Sequence, residues 1–586
     1  MPTAPASTPH SSYASIGLWV GLLAFAAALY LFGLGGSYAP TNGDEMVYIH
    51  IARLTAATGH WLPLQSDIVN LRNTKPPFLF WQAMVAGDWG NHWTMFALRL
   101  PSVVYSFFTA AIVAALTHRI ANNWRTACLA ATVYLAFFST FRYGRAYLTS
   151  GPETFWLALP VFYLLWNAQE IAKTPIAWKT LTWFGLAIGV GLLYKSFALV
   201  APAAATLWFV MLWLEPSLQW RTLLRTTLGV SWTALLALGI FSLWFVIDPN
   251  PSAVWQEFVV AENAGKMSGS QGYWHAALFG DYPLWTQLLA YPENAGLLWF
   301  VVLGLAWAAA IAWAKNKVRT PRTPAQRILM IWLLVWLVIF SIPSQRSARY
   351  VIPAMPALAM VLALYWERIA RFWFFITLGI SALAFVMLGR IAWVMGEMGI
   401  GSEWNLWTTL TLTVAGGLAA IAGIFKSQWT RNSALFACLC VYASFSAMVA
   451  PLDNPEAQYS EAVKSHLQEK RIAVPNGFTG QYERFGFVLP GNTLIPYDAE
   501  GRNTGALHPD MPPAERLLFL LEKHDAVVWL QEDAQRTDVL CASQCTVLGQ
   551  RWHVKSRHRD GEITWSNLWY PDQWLFGREW LLTLQK

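Results

Sequence analysis

An acidic pair, Asp44 and Glu45, follows Gly43 shortly after the first long apolar run of the chain. Carboxylates at the start of an amphipathic stretch can act as a general base or orient an acceptor. They also suit the positive end of a helix, so capping is the plain alternative for Asp44. Further on, Asn73-Thr74-Lys75-Pro76-Pro77 fixes a lysine on a stiff, extended backbone; a snorkelling lysine is the alternative there. Arg142 and Arg145 precede Glu153, Lys195 interrupts two apolar runs, and Arg346, Arg349 and Tyr350 lie in IPSQRSARYVIPAMP. Charges at membrane depth are costly and mark function. Arginine grips phosphate bidentately and lysine binds it as a point charge. Cations in four separate segments, with acids among them, point to one anionic, phosphate-bearing ligand. Glu257, Glu262, Asn263, Lys266 and Tyr282 share a long polar segment but have no spacing signature, and they rank below the others.

The elements that must position these residues are membrane helices. Of 586 residues, 56% are apolar and only 12% charged, about half the usual 25% or so, and mean hydropathy is +0.37. An ordinary soluble enzyme and a disordered chain are both excluded. Thirteen segments read as spans: 15–36, 96–117, 126–141, 153–168, 180–194, 196–214, 225–247, 295–314, 328–343, 350–366, 372–391, 405–425 and 433–451. With the N-terminus cytoplasmic, the inner loops hold fifteen basic residues and three acids, and the outer loops eleven and twelve. That bias sets orientation. The net charge of +7 is therefore a topology signal and calls for no nucleic-acid partner.

Three regions follow. Residues 1–14 read as a disordered cytoplasmic tail, 15–451 as the transmembrane domain with long outer segments 37–95 and 248–294, and 452–586 as a soluble periplasmic α/β domain. This last region holds fourteen basic and eighteen acidic residues, an ordinary soluble balance. Strands are expected at Arg471–Val474, Phe485–Leu489, Ala526–Leu530 and Thr546–Val554, and helices at Ala457–Glu469 and Pro513–Lys523. Cys541 and Cys545 are a disulfide candidate outside the cytoplasm, with two free thiols as the alternative. Cys128, Cys438 and Cys440 read as packing residues, and no spacing resembles a zinc site.

GDEMVYIHIARLTAATGHWLPL followed by KPPFLFW, the run FGLAIGVGLLYKSFALVAP, and SQRSARYVIPAMPALAM resemble, in that order, motifs of the bacterial lipid-linked sugar transferases of the GT-C superfamily. Within it the chain resembles the lipid A aminoarabinose transferase group, with protein O-mannosyltransferases more distant. The resemblance implies the GT-C fold and an inner-membrane glycosyltransferase. It implies a polyprenyl-phosphate sugar donor, with undecaprenyl phosphate the expected carrier, and a glycolipid or envelope-glycan acceptor at the periplasmic face. It implies transfer with inversion, without a nucleotide cofactor or essential metal; a divalent ion is left open. Asp44 matches the first-loop acid, with Glu45 beside it. Lys75 matches a phosphate-contacting lysine, and Arg349 and Tyr350 fall in the motif lining the donor phosphate. Two positions depart from the pattern: Glu153 follows Pro152 instead of preceding a proline, and Lys195 is followed by Ser196 instead of glycine.

Attack at the anomeric carbon expels a polyprenyl phosphate, and fixed cations stabilise the charge that grows on it. That role falls to Arg349, Lys195 and one of Arg142 and Arg145. The alternatives are a protein O-glycosyltransferase on the same fold and a secondary transporter. The transporter is disfavoured because the charges cluster at one face and no inverted repeat is visible.

Overall fold

The structure is a computed structural model describing residues 9–36, 43–68, 71–171, 173–215, 219–264, 273–315, 323–452, 459–476, 481–498, 511–531, 540–541, 544–555, 558 and 560–585. Lys266 lies outside the described residues. The membrane part runs α1 (Pro9–Leu31), α2 (Gly43–Ala57), α3 (Phe78–Ala86), α4 (Met95–Ala121), α5 (Trp124–Ala136), α6 (Phe138–Tyr143), α7 (Ser150–Trp166), α8 (Trp178–Leu192), α9 (Val200–Leu214) and α10 (Trp220–Ile247). The second outer segment holds wide π-type turns at Trp255–Ala264, then α11 (Tyr273–Phe279), α12 (Leu284–Leu288) and α13 (Ala290–Ala295). It is followed by α14 (Trp299–Ala314), α15 (Pro324–Ser341), α16 (Met355–Tyr365), α17 (Arg371–Glu397), α18 (Glu403–Phe425) and α19 (Thr430–Val449).

Each of the thirteen apolar segments carries a helix, yet among the described residues only nine helices are long and apolar enough to cross a bilayer. The exceptions are the apolar stretch Gly17–Leu31 of α1 and helices α5, α7 and α8. The last three have 13, 17 and 15 residues, or roughly 20–26 Å against a hydrocarbon core of about 30 Å. They stop short at extended or coiled backbone around Phe137, Gly144–Thr149 and Lys195–Ser196. Those breaks carry Arg145 and Lys195, with Arg142 in the short helix α6 and Glu153 in the first turn of α7 beside them, so irregular backbone falls where charged groups gather. In addition, α1 begins at Pro9, inside the segment expected to be disordered.

Small residues set the helix contacts. On α8 a Cβ on Gly185 would meet Leu236 at 2.9 Å, and one on Gly189 would meet Ile240 at 2.8 Å. The glycine-rich run thus lets α8 and α10 approach closely, as small residues do in membrane packing. It fixes where Lys195 emerges, three residues beyond the end of α8.

The C-terminal domain contains α20 (Glu461–His466), β1 (Arg471–Pro475), α21 (Arg484–Val488), β2 (Thr493–Tyr497), α22 (Pro513–Lys523), β3 (Ala526–Gln531), β4 (Cys545–Val554) and β5 (Phe576–Leu584). Its sheet order is β2-β1-β3-β5-β4; β1 runs parallel to β2 and β3, and β5 antiparallel to β3 and β4. Phe485–Leu489, expected as a strand, is helical because Phe485 and Val488, three residues apart, both turn into the domain core. The helix expected at Ala457–Glu469 shrinks to Glu461–His466 in its described part. Two strands, β2 and β5, were not anticipated. Cys541 and Cys545 are joined by a disulfide with a Cα–Cα distance of 5.6 Å. The domain seats on the membrane part through Phe576, Leu575, Trp552 and Val554, packed against Leu388, Ile391 and Met395 of α17.

One buried ion pair ties the first outer helix to the bundle. Glu45 is fully buried and accepts from Arg99 of α4 at 2.7 and 2.8 Å and from the Tyr147 backbone N–H at 2.8 Å. Arg99 also donates to the carbonyls of Leu34 and Gly36 at the end of α1. Glu45→Ala strands a buried guanidinium and is expected to cost about 3–5 kcal/mol, measured as a lower unfolding midpoint in detergent.

Candidate active site

The N-terminal turn of α2 presents Asp44, and a 3₁₀ turn at Ala348–Ala354 presents Arg349 and Tyr350. The Ser347 side chain caps that turn by accepting from the Arg349 N–H. Arg349 Nη1 donates to Asp44 Oδ2 at 3.1 Å, and both side chains stay about a third exposed. One turn along α2, the Tyr48 ring faces Lys75 Nζ at 5.7 Å from its centre. Pro77 stands immediately before α3, so Lys75 is aimed by rigid backbone. Its ammonium donates to Glu262 Oε1 at 2.9 Å and to the Thr74 carbonyl at 2.7 Å. Burial alone would lower the Lys75 pKa, but Tyr48 and Glu262 beside it hold it above the ordinary lysine value.

On the other side of Tyr350, Lys195 Nζ lies 5.8 Å from that ring's centre and donates to Glu153 Oε1 at 2.9 Å. Glu153 sits in the first turn of α7, fully buried, and also accepts from Thr149 Oγ1 at 3.3 Å. Three carboxylate–cation pairs, Asp44–Arg349, Glu262–Lys75 and Glu153–Lys195, therefore form one electrostatic cluster around Tyr48 and Tyr350. Arg142 adjoins it: its guanidinium lies 5.4 Å from the Tyr143 ring centre, and Arg349 lies 4.6 Å from the same ring. No carboxylate pairs with Arg142 among the described residues.

Three expected site residues lie elsewhere. Glu45 is consumed by Arg99 in the buried pair described above. Arg145 is fully buried and donates to the carbonyls of Tyr30 and Phe32, which satisfies the C-terminal end of α1. Arg346 is buried and spends its donors on the carbonyls of Ser341, Tyr282 and Ser344 and on the Tyr273 hydroxyl, tying two outer loops together. Each is an arginine closing backbone carbonyls or a buried carboxylate. Nothing in local sequence separates that use from phosphate binding.

The structure promotes the 248–264 segment, which sequence ranked low. Besides Glu262, Glu257 accepts from Arg72 Nε at 3.2 Å and Asn73 Nδ2 at 3.0 Å, and Asn263 Oδ1 accepts from Ser196 Oγ at 2.9 Å. These contacts join residues far apart in sequence, so spacing could not reveal them. Among the described residues no group of three His, Cys, Asp or Glu converges as a metal site.

A second ionic cluster, also missed, binds α2 to the C-terminal domain. His50 is fully buried, with Nδ1 2.9 Å from Glu483 Oε2 and Nε2 2.6 Å from Asp67 Oδ1. Arg53 pairs with the same Glu483, and the Tyr482 hydroxyl donates to Asp67 at 2.9 Å. Both ring nitrogens face carboxylates, so the doubly protonated imidazolium fits. Burial by itself would lower the His50 pKa, but the hydrogen bonds its ring donates to Asp67 and Glu483 outweigh it and raise it to about 9.

The family model described as dolichyl-phosphate-mannose-protein mannosyltransferase matches residues 18–253. A protein of Sodalis glossinidius, undecaprenyl phosphate-alpha-4-amino-4-deoxy-L-arabinose arabinosyl transferase 1, is 26% identical over 549 residues, covering 89% of this chain and 92% of its own. A protein of the same description from Pectobacterium carotovorum is 24% identical and covers 96% and 97%. The crystal structure of ArnT from Cupriavidus metallidurans bound to undecaprenyl phosphate superposes with a TM-score of 0.59 at 15% identity, covering 97% of this chain and 98% of that one. At that identity the likeness establishes the fold.

The His50 cluster has a definite pH signature. The folded pKa of about 9 lies above the unfolded value near 6.5. Its stabilisation is therefore complete below about pH 6.5 and lost as pH rises through 9. The unfolding midpoint of the wild-type protein is expected to fall between pH 7 and 10, and the slope should flatten in His50→Gln.

Proposed function

We propose, for this GT-C glycosyltransferase resembling the lipid A aminoarabinose transferases, that it moves a sugar from a polyprenyl-phosphate donor, undecaprenyl phosphate above all, to a lipid A, lipopolysaccharide or other envelope-glycan acceptor. The reaction takes place at the periplasmic face of the bacterial inner membrane, with the N-terminus cytoplasmic and the C-terminal domain periplasmic. The observation that carries this reading is the cluster of Lys75, Arg349 and Lys195, with Arg142 beside it and without a carboxylate partner among the described residues, at the end of an apolar bundle.

The chemistry follows from charge. An acceptor oxygen attacks the anomeric carbon as the bond to the phosphate oxygen breaks, in one displacement that inverts the centre. Negative charge grows on the departing phosphate. Arg142, Arg349 and Lys195, held by Tyr143, Tyr350 and Glu153, are positioned to neutralise it without reorganising. A hydroxyl acceptor gives its proton to Asp44; an acceptor that is already an ionised phosphate is oriented by Asp44 and neutralised by Lys75. Glu153 keeps Lys195 in place. A row of rings, Tyr194–Phe78–Trp81–Trp61, with neighbouring centroids 5.3–5.8 Å apart, leads from Lys195 outward. It ends at a cavity of about 490 Å³ lined by His60, Trp61, Leu62, Trp81, Ile247 and Pro249. This apolar path suits the first isoprene units of the carrier.

A second reading, transfer to a periplasmic protein, has the matched mannosyltransferase family model in its favour. Asp44→Asn and Lys75→Gln are each expected to lower transfer by roughly 10²-fold or more while leaving the unfolding midpoint near wild type. Mass spectrometry of lipid A, envelope glycans and periplasmic proteins from a deletion strain carrying each variant is the measurement. A sugar missing from lipid supports the first reading, and one missing from protein alone supports the second.

A further inference from the structure

The C-terminal domain carries a loop, 560–575, whose apolar side chains are widely exposed among the described residues. Trp565 is 94% exposed, and Ile563, Trp569 and Tyr570 are each 40–48% exposed. The loop is nonetheless firmly built. Asn567 Oδ1 accepts from the Thr564 N–H at 2.8 Å, Asn567 Nδ2 donates to the Glu562 carbonyl at 2.8 Å, and Trp574 Nε1 donates to the Asn567 carbonyl at 3.1 Å. The Leu568 N–H closes on the Thr564 carbonyl at 3.0 Å. An ordered loop that holds a tryptophan almost wholly in the open needs an apolar or interfacial medium to receive it.

Its depth can be read from α17. Residues 372–389 of that helix contain no charged residue and are bracketed by Arg371 and Arg390. At 1.5 Å per residue the two arginines stand about 28 Å apart along the axis, close to the hydrocarbon thickness of about 30 Å. Arg390 therefore marks the hydrocarbon boundary on the face that carries the C-terminal domain. Arg390 Nε donates to the Trp569 carbonyl at 3.0 Å, with its guanidinium 5.8 Å from the Trp569 ring centre. Phe576, just past the loop, packs against the same helix with Leu388 and Ile391. The loop thus stands at the level where the headgroups begin. Exposed Trp393 on α17, and Trp404 and Trp407 at the start of α18, belong to the same level, where tryptophan and tyrosine are favoured. Glu562, the acid nearest the tip, is paired with Lys555 at 2.7 Å.

We propose that the 560–575 loop is seated in the membrane: Ile563, Trp565, Trp569 and Tyr570 lie in the headgroup layer of the leaflet on the domain's own side, with Arg390 as the hinge pin. The occupant of the aromatic surface is phospholipid, and the domain is held to the bilayer at two places, α17 and this loop. This seating is independent of the sugar or acceptor used.

The test uses the full chain in nanodiscs of phosphatidylethanolamine and phosphatidylglycerol, in a Cys128→Ser background. Nitroxide labels are placed at Trp565→Cys, at Ser566→Cys, which keeps every ring, and at Glu522→Cys. Glu522 is exposed on α22, whose end leads into β3 where Val527 pairs with Leu582. Leu582 is six residues, about 20 Å, along β5 from the membrane-seated Phe576. Power saturation compares collisions with oxygen and with a water-soluble nickel chelate. The expected result is a several-fold bias toward oxygen at 565 and 566 and toward the chelate at 522. Labels at 565 and 566 as open to the chelate as 522 overturn the proposal by placing the loop in water. Labels shielded from both reagents also overturn it and point to a protein partner or a second copy.

Discussion

The site depends on keeping one short helix still. α2 carries Asp44 and Tyr48, yet it is not itself a span, and its amphipathic face alone could slide along the bundle. The buried Glu45–Arg99 pair removes that freedom at one end. Its carboxylate is fully engaged by a guanidinium fork and a backbone N–H, and the same fork holds the end of α1. Such a pair is weak as a source of net stability but strict about geometry, because displacing either partner leaves a naked buried charge. At the other end, His50 and Arg53 fasten α2 to Glu483 of the C-terminal domain. Adjacent acids on one turn thus divide the work: Glu45 faces inward and fixes the helix, while Asp44 faces outward with part of its surface open.

The same economy explains the cluster of cations. A lysine or arginine held near a low-dielectric bundle needs a counter-ion before substrate arrives. Lys75, Lys195 and Arg349 each have one, supplied by a different outer element: Glu262 from the second outer segment, Glu153 from the start of α7 and Asp44 from α2. Contacts from Glu257 and Asn263 draw the second outer segment over the first and onto Ser196. The geometry of the cation cluster is therefore coupled to the arrangement of these segments.

The C-terminal domain is tied into this arrangement. It meets the membrane part through an ionic contact to α2, an apolar seat on α17 and the aromatic loop beside Arg390. A domain fastened at several points is held in one orientation on the bundle, which a tethered domain is not.

Much of this was legible in the residues. Missing charge and long apolar runs dictated a helical membrane bundle, because backbone polar groups in lipid must be satisfied within the segment. The composition shift after residue 451 announced a separate α/β domain, and stiff or charged segments such as Asn73–Pro77 and Arg349–Tyr350 named most of the cluster. Sequence did not separate Asp44 from Glu45, or Arg142 and Arg349 from Arg145 and Arg346, since the residue types and local patterns are alike. The difference lies in what comes to meet each one. Arg145 and Arg346 meet orphan carbonyls, Glu45 meets Arg99 from a helix beginning fifty residues later, and Arg349 meets Asp44 across 305 residues. Ion pairs of that separation have no period or motif; they exist only once helix packing brings the segments to one place, and that was decided by the tertiary structure alone.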